Sequence, residues 1–143
     1  MPTIDTDEMY GRDLVLVLHP ISGPHDHWST VTAADEMDEY MRTLVHITLH
    51  ERYQSSLPYP STVDAALSSL ASLVSMSGQF MEQLGDRLGN FRDDPKVSDD
   101  RGEDVTVRID VARGELAMAI AAAANLQQAL TSVRRQTSHL SYS

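Results

Sequence analysis

From Val63 onward, apolar residues return at alternating steps of four and three: Val63, Leu67, Leu70, Val74, Ser77, Met81, Leu84, Leu88 and Phe91. Only Ser77 interrupts the series. A 4-3 alternation is a heptad a/d stripe, which predicts a helix facing a partner helix along its whole length. Ser61, after Pro60, reads as the N-cap, with Asp64 three residues on as a carboxylate variant of the capping box. Asp93-Asp94-Pro95 reads as the stop, because proline biases the residue before it away from the helical region. The predicted helix covers 62–92 and is about 45 Å long at the usual helical rise.

The same alternation returns at Val105, Ile109, Ala112, Leu116, Ala119, Ala123, Leu126, Leu130, Val133, Thr137 and Leu140, and predicts a second helix over 104–140. Its centre is alanine-rich, which lets a neighbouring helix come close and raises helix propensity. Val105 to Val111 also alternates with period two and is β-branched, as a half-buried strand would be. The heptad phase running back through Ile109 and Val105 without a slip favours helix.

Between these rods lies Asp93 to Asp104, with Pro95, Gly102 and six acids, which reads as a solvated turn. Two long amphipathic helices joined in this way fold back as an antiparallel hairpin. The first half is less regular. Thr32, followed by Asp35 and Glu36, predicts a helix over 32–55 whose inner face carries Met37, Met41, Leu44 and Val45. Ahead of it, residues 1–31 read as an irregular segment, with Leu14 to Leu18 as a short strand or extended filler and His19 to Trp28 as a loop. The expected fold is all-α: one helical domain over 1–143, built as a long antiparallel hairpin with a shorter third helix.

Composition narrows the chemistry. The chain has 143 residues, no cysteine, and a net charge of -10 from 21 acidic and 11 basic side chains. Without cysteine there are no disulfides, thiolate metal sites or cysteine nucleophiles. The acid surplus argues against direct nucleic-acid binding, which needs clustered Lys and Arg to neutralise phosphate. The longest uninterrupted apolar runs, Leu14 to Leu18 and Leu116 to Ala124, fall short of the ~18 residues of a membrane span. The acidic start, Met1 to Glu8, lacks the positive charge of a signal peptide, so the expected location is cytoplasmic, with no membrane partner.

The sharpest chemical candidate is His46 and His50, whose i, i+4 spacing sets two imidazoles on one helix face beside Glu51. Ile47 stands where zincins place their catalytic Glu, so ordinary surface histidines are the plainer reading. His25-Asp26-His27-Trp28 reads either as a binding tip or, through Trp28 and Val31, as an apolar plug at a helix entry. Asp35, Glu36, Asp38 and Glu39 read as an acid-rich helix start, since the Glu-x-x-His motifs of di-iron bundles are missing. The serines between Ser68 and Ser77 lack a glycine elbow, and Gly85 and Gly89 are spaced for close helix packing rather than for phosphate. Arg134 and Arg135 suit the negative end of the last helix.

Leu67 to Phe91, the acidic Asp99-Asp100-Arg101-Gly102-Glu103-Asp104 turn, the Leu116 to Leu130 helix and the ending Thr137-Ser138-His139-Leu140 together resemble small all-helical proteins of high-GC actinobacteria, often encoded beside mobile elements. Ten arginines against one lysine fit such a genome. That group has no assigned chemistry, so the resemblance implies a fold and no site. The hairpin also looks superficially like small secreted WXG-type proteins, but the turn lacks their Trp-x-Gly motif.

Val107, Val111, Met118 and Ile120, with Leu73, Met76 and Phe80, lie off the two seams and leave a second face to cover. The expected interaction residues are Val107, Val111, Ala117, Met118, Ala121 and Ala124. The expected function is a non-enzymatic interaction or structural protein without cofactor, acting through helical faces as a homo-oligomer or with another protein. Two alternatives stay open: a metal-binding protein or small metal-dependent enzyme centred on His46 and His50, and an acidic mimic that occupies a nucleic-acid-binding protein.

Overall fold

The computed structural model describes residues 17, 21–23, 25–49 and 53–141. Among these the chain is all-α, with no strand. The helices are α1 (His27–Ile47), α2 (Tyr53–Ser56), α3 (Pro60–Phe91) and α4 (Val105–Thr137). The chain divides into two compact units, Met1–Ser56 and Leu57–Ser143. The Leu14 to Leu18 segment lies outside the described residues apart from Val17.

In the first unit, α1 begins five residues earlier than Thr32. Asp26 is the reason. Its Oδ1 accepts from the Ser29 N–H at 2.8 Å, and its own N–H donates to the Ser29 hydroxyl, closing a reciprocal capping box. Trp28 and Val31 therefore stand in the first turns of a helix and not in a loop. Trp28 is exposed, its ring 4.7 Å from that of His27, so it forms no apolar plug among the described residues. The helix also stops short of Ser55: Thr48 forms the C-cap, and only the single turn α2 follows.

The second unit is the hairpin. Pro60 occupies N1 of α3, where its missing N–H is no loss, and Tyr59 is the N-cap with no side-chain hydrogen bond. Ser61 is thus inside the helix, and Asp64 is free for another use. Its Oδ1 accepts from the Thr137 hydroxyl at 2.7 Å, and its Oδ2 lies 3.7 Å from Arg134, which pins the start of α3 to the end of α4. At the other end Arg92 pairs with Asp110 at 3.0 Å. Between them, a methyl group added at Gly85 would stand 3.3 Å from Leu116 Cδ2, and one at Gly89 would stand 3.2 Å from the Arg113 guanidinium. The numbers of the pairs Asp64–Thr137, Gly85–Leu116, Gly89–Arg113 and Arg92–Asp110 add to 201 or 202, the constant sum of an antiparallel pair in one unbroken register, and the long Arg134 side chain reaches Asp64 from the neighbouring turn.

Residues 105–111 are helical, and Asp104 is the N-cap of α4, accepting from the Thr106 N–H at 2.8 Å. The connecting turn is held by its own acids. Asp99 Oδ1 accepts from the Arg101 and Glu103 N–H groups, Arg108 reaches back to Asp99 and Glu103, and Gly102 supplies the positive φ of 75°. Ser77, the one polar residue in the α3 seam, donates its hydroxyl to the Leu73 carbonyl at 2.8 Å and so brings no unpaired group into the contact.

The seam of α4 departs from the predicted row at alternate positions. Ile120, Gln127 and Arg134 are more covered than Ala119, Leu126 and Val133, while Ile109, Leu116, Ala123, Leu130 and Thr137 keep their places. On α3, Leu84 is 41% exposed, and Gly85 takes the inward place against Leu116. Both shifts turn the helices toward one side of the hairpin and open the other.

Candidate functional site

Two packed helices bury little. Ile109 (8% exposed) and Leu130 (9%) are the only buried apolar side chains among the described residues. Every other apolar residue of the hairpin lies at a partly or fully open surface, and the two long sides of the hairpin differ in kind.

One side carries a shallow open groove of about 370 Å³, lined by Glu82, Gly85, Asp86, Arg113, Gly114 and Ala117 with Met81, Leu116 and Ile120 at its floor. Its rim mixes two carboxylates with one guanidinium. Gly85 keeps this side narrow, because a methyl group added there would already stand 3.3 Å from Leu116 Cδ2.

The opposite side is apolar. On the heptad frame Leu73, Phe80 and Arg87 form one row of α3, and Glu115, Ala122 and Ala129 form one row of α4. Met76 (56% exposed), Leu84, Leu126 (50%) and Val133 flank these rows. No charged residue stands between Asp64 and Glu82 on α3, or between Glu115 and Arg134 on α4. Arg87, whose guanidinium lies 4.1 Å from the centre of the Phe91 ring, and Glu115 close this uncharged field at the turn end.

The six expected interaction residues are all exposed, but they do not form one row. Val107 and Ala121 look away from α3, Val111 and Met118 hold on α4 the heptad position that Met76 holds on α3, and Ala117 lines the groove with Ala124 one heptad beyond it. Leu73, Met76 and Phe80 were legible as off-seam residues. Of the α4 residues on the same side, Leu126 was hidden by its place in the predicted seam, and Ala122 and Ala129 by their small size, although the period of seven that links Leu73 to Phe80 and Ala122 to Ala129 was available in the sequence.

His46 is exposed near the end of α1, and His50 and Glu51 lie outside the described residues. Among the described residues no group of three or more His, Asp or Glu side chains converges as a metal site would require. His25 is engaged with the Ile21 carbonyl at 2.9 Å. In the acid cluster of α1, Arg42 pairs with Asp38 at 2.6 Å and with Glu39 at 3.4 Å, as i, i+4 and i, i+3 partners on a solvated face. The Asp26 carboxyl is held below the ordinary aspartate value of 3.8, chiefly by the Ser29 N–H and then by the Ser29 hydroxyl.

By length and composition alone, α4 is apolar enough to cross a membrane, with an 18-residue stretch of mean hydropathy 1.3. The short uninterrupted runs concealed this, because Asn125, Gln127 and Gln128 divide the stretch without charging it. In the hairpin, one face of that helix is packed along α3. The chain matches no family model, no curated protein and no solved structure.

Proposed function

We propose that this protein is a non-enzymatic interaction module that acts through helical faces and self-associates. The observation that carries the reading is the uncharged side of the hairpin, where Met76, Phe80, Leu84, Leu126 and Val133 are all exposed on two adjoining helices. A hairpin with two buried apolar side chains has a thin core, and covering that side with a further pair of helices supplies the missing layer of a bundle. The charges support the same reading, since they concentrate at the turn and leave the middle of both helices neutral. A cytoplasmic location, and kinship with the small actinobacterial proteins that the hairpin sequence resembles, belong to this proposal.

The test is the mass in solution, paired with one substitution. The parent chain at tens of micromolar is expected to sediment as a dimer or higher oligomer, and Phe80→Glu, which sets a carboxylate in the middle of the field, is expected to sediment as a helical monomer. A parent that stays monomeric and does not bind vesicles would refute self-association. A parent that partitions into neutral phospholipid vesicles through α4 would replace it with a membrane role.

A further inference from the structure

The apolar side can be covered by a second copy in two ways that keep a closed two-fold pair: with both turns at one end, or with the turns at opposite ends. We infer that the occupant is a second copy of this chain with its turn at the same end, so that α3 of each copy lies over α4 of the other. This rests on the self-association proposed above and adds its geometry.

Three observations carry it. The first is charge. In the same-end arrangement the two-fold axis runs along the helices, so a residue of α3 meets the α4 residue that shares its level in the hairpin. Arg87 and Glu115 share a level, and both stand at the edge of the apolar field. Each Arg87 therefore meets the Glu115 of the other copy, twice per dimer, whereas with the turns at opposite ends Arg87 would press on uncharged surface near Ala66 and Glu115 would fall near Gln136, beside Arg135.

The second is size. At the same levels Phe80 meets Ala122 and Leu73 meets Ala129, bulky against small, while Met76 meets Leu126 between them. The alternative stacks α3 on α3 and α4 on α4, which sets bulky residues on bulky ones and alanines on alanines. Interfaces pack to interior density only when large and small positions interleave.

The third is extent. The field from Ala66 to Arg87 on α3, and its counterpart on α4, is roughly 30 Å by 20 Å, so a dimer would bury about 1,200 Å², the lower end of what stable protein pairs use. The turns oppose the arrangement, since residues 86–115 hold nine acids against six bases in each copy. Those charges sit on solvated loops, where physiological salt screens them beyond roughly 8 Å.

Charge exchange between copies tests the geometry. Arg87→Glu and Glu115→Arg each place like charges opposite one another in a homodimer, so each variant alone is expected to associate at least tenfold more weakly than the parent. Mixed in equal amounts they restore two opposite-charge pairs between copies while leaving the like charges within each copy, so the mixture is expected to return to the mass of a dimer. Circular dichroism on each variant keeps loss of folding apart from loss of contact. Variants that remain dimeric alone, or a mixture of folded variants that stays monomeric, would overturn the same-end arrangement while leaving self-association intact. A monomeric parent would remove both.

Discussion

Ile109 and Leu130 bear more of this fold than any other side chains among the described residues, because they alone are buried apolar groups in a two-helix contact. Truncating either to alanine removes apolar contact and leaves a space that two helices close only partly. Each is expected to cost about 2–4 kcal/mol in urea unfolding. Leu84, by contrast, is 41% exposed, and Leu84→Ala is expected to cost less than half as much as Leu130→Ala in the same measurement. Equal losses at the two positions would contradict the observed rotation of the seam.

Asp26 acts at the same scale through its charge. Its carboxyl is held below 3.8 by the Ser29 N–H and hydroxyl, so the folded state binds its proton less readily than the unfolded chain does. The contribution of the cap is complete above that ordinary value and is lost as pH falls through the lowered folded value. Protection of the backbone amides at residues 27–30 relative to an unstructured chain is expected to fall at that acid end, and Asp26→Ala is expected to show the lowered protection already at pH 7.

Elements differ in how far their sequences declare them. The long helices were legible because their 4-3 alternation persists over about eight turns, and α3 and α4 begin and end within three residues of the predicted limits. Capping was less legible. Asp26 lay in a stretch rich in Pro, Gly and His that resembles a loop, and its reciprocal partner is a serine rather than Glu or Gln, so α1 starts five residues before the more conspicuous Thr32. Asp64 had the spacing of a capping box, but Pro60 at N1 already starts the helix and the carboxylate serves Thr137 and Arg134. Asp64→Ala leaves the Thr137 hydroxyl without its acceptor on α3 and Arg134 without a counter-charge. It is expected to cost about 1 kcal/mol and to raise amide exchange in the last turn of α4 before the middle of the helix is affected.

The candidate surface was harder to read than the helices because a heptad stripe marks one contact clearly and conceals a second. Ala119, Leu126 and Val133 satisfy the pattern of the seam, yet Ile120, Gln127 and Arg134 take the covered places beside them. A glutamine and an arginine do not announce themselves as inward residues. Gln127 is only partly covered, and Arg134 lies 3.7 Å from Asp64 on the facing helix. The displaced apolar residues thereby join Met76, Phe80 and Leu84 on the open side.

At the scale of the whole molecule, the balance between buried and exposed apolar surface gives the hairpin its character. Its helices are long, its seam is narrow, and its neutral side is two helices wide. Its charges gather in the turn, where Asp99, Glu103 and Arg108 fasten the loop to the start of α4. Stability is therefore expected to depend on protein concentration, as it does when folding and association are linked. The melting temperature should rise as the chain is concentrated.

Self-association through the neutral side is read out by light scattering coupled to size exclusion, run on the parent chain and on Phe80→Glu at tens of micromolar. The parent is expected at a mass of at least twice 15.8 kDa, and Phe80→Glu at 15.8 kDa with its helical content retained. A mass of 15.8 kDa for the parent, or an oligomer that persists unchanged in Phe80→Glu, would contradict it.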